Sequence, residues 1–270
     1  MGFFDRKPAP APQPPATTHF DVATDCGNVT VALRRHPRAR NYTLRVGSAK
    51  AAPVLTMPAR GSLAEARAFL DRHAGWLASQ MGKLPQAQPL ADGAVIPLRG
   101  VPHRIRHVPV SRGTVSAAVF DGEPVILAPG RPEYLPRRVV DFLKREAKRD
   151  IERAALRHAM MLGVRIKAIR LRDQSSRWGS CTSNGHLSFS WRLIMAPPFV
   201  LDYLAAHEVA HLQEMNHSPR FWHLVESVCA ETRAARTWLN REGPRLHAIG
   251  AEPGSWLAAD DEDVDDDAIA

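Results

Sequence analysis

The sequence predicts an α+β protein in which a β-rich N-terminal module precedes a mainly helical region with a β-hairpin. Two observations predict this order. Segments such as 28–36 and 41–46 alternate apolar and polar residues, as half-buried strands do. Residues 134–162 instead have apolar side chains at helical spacing, with basic side chains mostly on the other side. A composition of 44% hydrophobic and 24% charged residues fits a globular protein with one or two domains.

Composition divides the chain into four parts. Residues 1–18 are rich in Pro and Ala and are expected to form a disordered leader. Residues 19–130 form the predicted β-rich module, and residues 131–250 form the predicted helical region. Residues 251–270 are expected to form a disordered acidic tail, since like charges repel and little of this segment can be buried.

Local signals place the main elements within these parts. A helix is predicted from Gly61 to Met81, because Ser62 and Glu65 have the spacing of a capping box. The Asn184-Gly185 step predicts a hairpin turn. Three further helices are predicted at about 198–215, 219–231 and 233–248.

The charge of the chain is uneven. The net charge is +8, but residues 260–270 contain seven acidic and no basic residues, so the remainder carries +15. A basic body of this kind can contact nucleic acid, although solvated basic helix faces have the same composition. Net charge argues about association and not about fold, so nucleic acid is a possible partner.

The cysteines and the N-terminus indicate the compartment. Cys26, Cys181 and Cys229 lie far apart and form no CxxC pair, so neither a disulfide framework nor a cysteine zinc site is expected. The N-terminus has no apolar run like that of a secretory signal, and no segment is apolar enough to span a membrane. A cytoplasmic protein with reduced thiols is the expectation. The oligomeric state cannot be derived from the sequence.

The stretch "HEVAHLQEMNHSPRFW" (207–222) contains the candidate functional residues. His207 and His211 are four residues apart, so a helix would place both imidazoles on one face, where they can share a tetrahedral ion. Glu208 lies about 100° further round and can act on water held by that ion. The preceding segment is apolar nearly all round, which predicts a buried helix. Buried ionisable groups need partners, and a divalent ion supplies one.

A third protein ligand is expected, with a fourth position left open for water. His217 is the leading candidate, because Asn216 can end the helix and Ser218-Pro219 can begin the next. His217 would then lie in the corner and turn back toward the ion. A carboxylate of the following helix, Glu226 or Glu231, is the alternative third ligand.

These residues resemble a known family. "SSRWGSC", "GHLSFSWRLIMAPPFVLDYLAAHEVAHL" and "NHSPRFW" are similar to segments of the YgjP-like metallopeptidase family of zincin peptidases, and the N-terminal half agrees over residues 34–77. The resemblance implies that His207, His211 and His217 bind Zn²⁺ and that Glu208 is the catalytic acid/base. It also implies that residues 131–250 form a zincin-like catalytic region with the HExxH helix.

The predicted function is therefore a zinc-dependent metallopeptidase that hydrolyses peptide bonds of a polypeptide substrate, using a metal-activated water with Glu208 as general base. An alternative is a metal-dependent endoribonuclease-like hydrolase. The ribosome-maturation nucleases have the same three-histidine spacing, but with Gly where this chain has Glu208. A zinc site that serves only binding or folding is a third possibility.

The "SSRWGSC" segment (175–181) has two open interpretations. An edge strand beside the active helix can hold an extended substrate by backbone pairing. Arg177 could bind a carboxylate or an oxyanion there, and Trp178 could line the cleft. Alternatively, Trp178 belongs to the core and Arg177 pairs with a nearby acid.

Overall fold

The structure, a computed structural model, describes residues 18–25, 27–47, 52–110, 112–174 and 177–251. It contains helices and several small sheets, so the α+β class is confirmed. The chain forms two compact units, with the described residues up to Val46 and Ala52–Gly82 in the first and those from Lys83 onward in the second. This division differs from the predicted boundary at 130/131, because strands after residue 83 share a core with the later helices. The predicted leader and acidic tail lie almost entirely outside the described residues.

The first unit contains a four-stranded sheet. Its strands, in the order β1-β2-β4-β3, are β1 (Thr18–Thr24), β2 (Gly27–His36), β3 (Thr43–Arg45) and β4 (Val54–Pro58). β1 and β3 are antiparallel to their neighbours, whereas β2 and β4 are parallel. Val29, Val31 and Leu33 are buried while the residues between them are less so, which is the period of two expected for a sheet covered on one face.

Two helices follow β4, namely α1 (Leu63–Arg72) and α2 (Ala74–Lys83). The predicted capping box is confirmed, since the Ser62 hydroxyl accepts from the Glu65 backbone N–H and the Glu65 carboxylate accepts from the Ser62 N–H. The prediction of a single helix is wrong, because the backbone leaves helical geometry at His73, with φ −107° and ψ 12°. Ala66, Leu70 and Leu77 contribute to the core of this unit.

The second unit begins with a sheet of the same topology. Its strands, in the order β5-β6-β8-β7, are β5 (Val95–Leu98), β6 (Val101–Val108), β7 (Ser116–Phe120) and β8 (Glu123–Pro129). The outer pairs are antiparallel and the central pair is parallel, as in the first unit. Arg99 and Gly100 join β5 to β6 with φ of 52° and 78°, the positive values of a type I′ hairpin turn.

A long helix and a smaller sheet complete the framework around the candidate site. α3 (Leu135–Leu162) contributes Val139, Phe142, Leu143 and Ile151 to the main core. The three-stranded sheet has the order β10-β11-β9, with β9 (Ala168–Arg172), β10 (Gly179–Cys181) and β11 (His186–Ser190). The predicted hairpin at Asn184-Gly185 is confirmed, since β10 and β11 are antiparallel and Gly185 has φ of 80°.

A 3-10 helix (Trp191–Met195) leads from β11 to the last three helices, α4 (Pro198–Ala210), α5 (Pro219–Val228) and α6 (Thr232–Ala248). Arg192, only 1% exposed, connects these parts. Its guanidinium pairs with Asp173 at 2.6 Å and donates to the carbonyls of Leu246 at 2.7 Å and Ile249 at 2.6 Å. A buried guanidinium with several acceptors fixes geometry more than it adds stability, so Arg192 holds the end of α6 against the strand region.

Within the described part of the chain, none of the helices combines the length and apolar character needed to cross a bilayer. The basic side of α3 is largely paired with acids of the same helix. Arg149 pairs with Glu146, and Lys148 with Glu152. Such pairs support the solvated-face interpretation of this helix.

Candidate metal centre

The buried helix α4 carries the first candidate residues. Its first turn begins at Pro198. A backbone N–H at this position would have no partner within the helix, so the missing N–H of proline does not destabilise it. Val200, Leu204, Ala206 and Val209 are at most 6% exposed, so the helix is apolar nearly all round, as predicted. The helix ends at Ala210, five residues before the predicted end. His211 still has helical geometry, with φ −60° and ψ −19°, so the four-residue spacing to His207 is kept.

Three histidines converge at the end of α4. One ring nitrogen from each of His207, His211 and His217 lies within 4.8 Å of the other two, and the Nε2 atoms of His207 and His217 are 3.2 Å apart. His207 is partly buried, His211 buried and His217 exposed. Three imidazoles around one point are a donor set that suits Zn²⁺. The alternative ligands Glu226 and Glu231 are exposed and lie outside this group.

A tight corner brings His217 back toward α4. Asn216 Oδ1 accepts from the Ser218 N–H at 3.1 Å, and the Ser218 hydroxyl caps α5 by accepting from the Phe221 N–H at 3.3 Å. The Phe221 ring stacks on His211, with centroids 4.4 Å apart. The corner is therefore held by a local turn, a helix cap and an aromatic contact. The helix itself ends earlier than the stop predicted at Asn216.

Outer contacts orient two of the imidazoles. The Tyr203 hydroxyl lies 3.4 Å from Nδ1 of His207. His211 Nδ1 lies 3.1 Å from the Glu214 carbonyl, so its N–H donates to that oxygen. Both contacts leave Nε2 available to an ion, which is the usual arrangement of metal-binding histidines. Tyr203 lies four residues before His207 on α4, and this spacing explains the contact.

Burial sets the ionisation of the site. Desolvation, followed by the positive charges of His211, His217 and Arg236, lowers the pKa of His207 to about 3. His207 is therefore neutral at physiological pH and can donate a lone pair to a metal without losing a proton. The charge effect also locates Arg236 of α6 near His207, where its guanidinium lies 4.4 Å above the Trp222 ring.

Glu208 lies beside the histidines and is 4% exposed. Burial raises the pKa of its carboxyl to about 8, and the charge of Arg177 partly opposes the rise. A buried carboxylate needs a compensating charge, and a cation held by the adjacent imidazoles would supply it. The residues present therefore fit a divalent metal ion. A carboxyl with a pKa near neutrality is also suited to general acid-base chemistry.

Glycine at position 179 makes room for this carboxylate. A methyl group on Gly179 would lie 2.7 Å from Cδ and 2.8 Å from Cγ of Glu208, closer than side-chain atoms can approach. β10 therefore passes directly against Glu208 only because position 179 has no side chain. Nothing in the local spacing around Gly179 predicts this, since Glu208 lies far along the chain.

β10 is an edge strand of its sheet among the described residues. The Ser190 N–H donates to the Trp178 carbonyl, and the Thr182 N–H donates to the His186 carbonyl. In an antiparallel pair the intervening residues have their backbone groups turned away from the partner strand. Gly179 therefore directs its N–H and C=O outward, at the edge of the sheet beside Glu208.

Arg177 and Trp178, the two candidate residues of the "SSRWGSC" segment, lie in different environments. Trp178 is 7% exposed and its ring lies 4.5 Å from that of His247, so it belongs to the core and does not line a cleft. Arg177 is partly buried, donates from Nε to the Gln174 side chain at 3.4 Å, and acts electrostatically on Glu208. Ser175 and Ser176 lie outside the described residues.

Comparison with known proteins shows the family of the chain. The family model described as "YgjP-like, metallopeptidase domain" matches residues 40–242, three quarters of the chain. No curated protein matches the chain. The crystal structure of the metallopeptidase zymogen of Pyrococcus abyssi abylysin is similar at 21% identity and a TM-score of 0.31, over 34% of this chain and 95% of that one. The family match identifies this chain as a member of the YgjP-like metallopeptidase family, and hence as a metal-dependent hydrolase.

Proposed function

We propose that the chain is a zinc-dependent peptidase in which His207, His211 and His217 hold the ion and Glu208 is the general base. The observation that carries this proposal is the group of three imidazole nitrogens within 4.8 Å of one another, next to a buried carboxyl. Three imidazoles with a position left open are the donor set of hydrolytic zinc sites.

The residues of the chain divide the reaction between them. A bound Zn²⁺ would supply Lewis acidity, polarising the scissile carbonyl and lowering the pKa of a water molecule. Glu208 takes a proton from the attacking water and passes it to the leaving amine. The pKa of about 8 in the ion-free site favours a group that can both accept and return a proton, and a neighbouring cation would lower this value.

The edge of β10 is the proposed binding place for an extended polypeptide. The outward backbone groups of Gly179 can pair with a substrate strand, which adds to the sheet beside Glu208. Backbone pairing is largely independent of side chains, so it fits a peptidase whose sequence preference is set by a few nearby groups. The free thiols of Cys181 and Cys229 support a reducing compartment such as the cytoplasm.

Substitution of the base tests the proposal. We expect Glu208→Gln to retain one zinc per chain and to lose cleavage of a random peptide library by about 100-fold or more, as removal of a general base does. Metal content is measured by elemental analysis and cleavage by mass spectrometry. His217→Ala is the matched variant, and it should lose zinc as well as activity.

Two results would refute the proposal. Full peptide cleavage by Glu208→Gln would remove the assigned base. Cleavage of RNA but of no polypeptide by the zinc-loaded wild type would favour the endoribonuclease-like alternative, whose ligand spacing is the same.

A further inference from the structure

One face of the β10 segment is turned toward Glu208. Gly179 and Cys181 share one side of β10, and Arg177 lies two residues before the strand begins. Gly179 packs directly on the Glu208 side chain. The charge of Glu208 also acts on the Cys181 thiol, and that of Arg177 acts on Glu208. Trp178, on the opposite face, is buried against His247. The Arg177 guanidinium is therefore on the Glu208 side of the candidate site.

Two positive guanidinium charges act on the candidate site. That of Arg236 acts on His207, and that of Arg177 acts on Glu208. Such a field attracts negatively charged groups of a substrate and disfavours positively charged ones.

The two arginines differ in what they can reach. Arg236 stacks on Trp222 and acts on both His207 and Tyr203, whose hydroxyl lies at Nδ1 of that imidazole. Arg236 is therefore held on an aromatic ring of α5 that also packs against His207 and His217. Arg177 instead lies two residues before Gly179, whose backbone groups face outward beside Glu208. A substrate paired with the edge of β10 would pass the Arg177 guanidinium.

The path of the proton from Glu208 indicates which part of the substrate lies near Arg177. Glu208 delivers its proton to the leaving amine, so groups around Glu208 face the residue that follows the scissile bond. A guanidinium binds a carboxylate through two parallel hydrogen bonds, with a geometric preference that a neutral amide does not match.

We propose that Arg177 is a specificity-determining residue that binds a substrate carboxylate in the residue following the scissile bond. This inference rests on the proposed peptidase function. The carboxylate can belong to an Asp or Glu side chain or to a free C-terminus, since both present the same group.

The experiment uses the zinc-loaded full chain and one peptide found to be cleaved in a random library. Three versions of this peptide differ only after the scissile bond. The first has Glu there and an amidated C-terminus some residues away, the second has Gln there and the same amide, and the third has Gln as its free C-terminal residue. We expect kcat/KM to be about 10- to 100-fold higher for at least one carboxylate peptide than for the neutral one, the range for a charge-assisted hydrogen bond. Preference for the first or third peptide identifies the source of the carboxylate.

Variants assign the preference to Arg177. Arg177→Gln should abolish the advantage of the carboxylate peptides, measured as the ratio of their kcat/KM to that of the neutral peptide in the same variant, and Arg177→Lys should keep part of the advantage. The matched control is Arg170→Gln, which removes an exposed positive charge from β9 at the opposite edge of the same sheet. It should behave as wild type. Zinc content is measured for every variant.

Three outcomes would overturn the inference. These are equal cleavage of all three peptides by wild type, an unchanged preference in Arg177→Gln, and an equal decrease of all three rates in Arg177→Gln. In the last case Arg177 acts only through Glu208. If wild type cleaves no peptide at all, the proposed function is wrong, and this inference, which depends on it, is wrong as well.

Discussion

At the scale of single residues, Glu208 and Gly179 form the tightest constraint in the candidate site. The carboxyl is buried, and the strand opposite approaches it at a position without a side chain. A general base must be held within a few tenths of an ångström of its working position, and displacement by about 1 Å can cost about 100-fold in rate. Gly179 therefore acts as a positioning residue for Glu208.

We expect Gly179→Ala to reduce kcat by about 10- to 100-fold without loss of zinc, because the added methyl group must push the Glu208 side chain aside. Peptide cleavage and metal content are measured on the same preparation. Gly82→Ala is the control, since a methyl group there would meet no atom within 4 Å. An unchanged kcat in Gly179→Ala would show that the carboxylate does not need its observed position.

Sequence spacing predicted the residues that lie close together along the chain. His207, Glu208 and His211 were predicted to lie close together because they fall within about one helical turn. Tyr203 lies one turn before them. The opposition of Gly179 and Glu208 could not be predicted in this way, because it depends on how β10 packs against α4. The sequence left the role of Trp178 open for the same reason, because only tertiary packing distinguishes a ring in the core from one that lines a cleft.

At the scale of elements, the join between α4 and α5 determines where His217 lies. Ser218 is the N-cap of α5, and its neighbour Asn216 closes the turn before it. An N-cap satisfies backbone N–H groups that the helix cannot satisfy itself. The cap therefore fixes the start of α5 and the direction of the preceding residue, His217.

We expect Ser218→Ala to lower the free energy of unfolding of the metal-free protein by about 1 kcal/mol and to weaken zinc binding, because His217 loses a fixed position. Denaturant unfolding and competition with a zinc-binding dye measure the two effects. Ser62→Ala is the matched control. It removes the N-cap of α1 in the other compact unit and should leave zinc affinity unchanged. Equal zinc affinity in both variants would contradict the role given to the corner.

Element limits were predicted best where caps or glycines mark them. The predicted helix 134–162 begins one residue before α3 and ends with it at Leu162. Gly163, in the left-handed conformation, follows as the C-cap. The end of α4 was predicted too late, because residues 211–213 continue as turns and keep an apolar pattern. Met160, which has the helical spacing of the apolar side of α3, is 83% exposed. Periodicity alone does not show that none of the described residues cover it.

At the scale of the whole molecule, the same strand arrangement occurs twice. Each compact unit contains a four-stranded sheet with an antiparallel pair, a central parallel pair and a second antiparallel pair. A helix follows the last strand of this sheet in each unit. The sequence gives no repeat visible by eye, since alternating apolar positions can be filled by different residues. The later sheet shares its core with the helices of the metal centre, which explains why the predicted boundary at 130/131 does not coincide with the boundary near residue 83.

The stability of the metal-free molecule should depend on pH through Glu208. Its pKa rises from the usual 4.5 to about 8 on folding, because burial disfavours the charged form. Between these two values the folded state binds more protons than the unfolded state, so stability falls as pH rises. The full loss, reached above about pH 8, amounts to about 3–5 kcal/mol at 1.36 kcal/mol per pKa unit. Below pH 4.5 both states are protonated and the contribution is constant.

We expect metal-free Glu208→Gln to be more stable than metal-free wild type at pH 8.5, by about 3 kcal/mol, and the difference to decrease steadily toward pH 5. Urea unfolding in the presence of a chelator measures it at each pH. Glu226→Gln, which removes an exposed carboxylate from α5, serves as the control and should follow the wild-type profile. A difference between Glu208→Gln and wild type that stays constant from pH 5 to pH 8.5 would mean that the buried carboxyl already has a compensating partner without the metal ion.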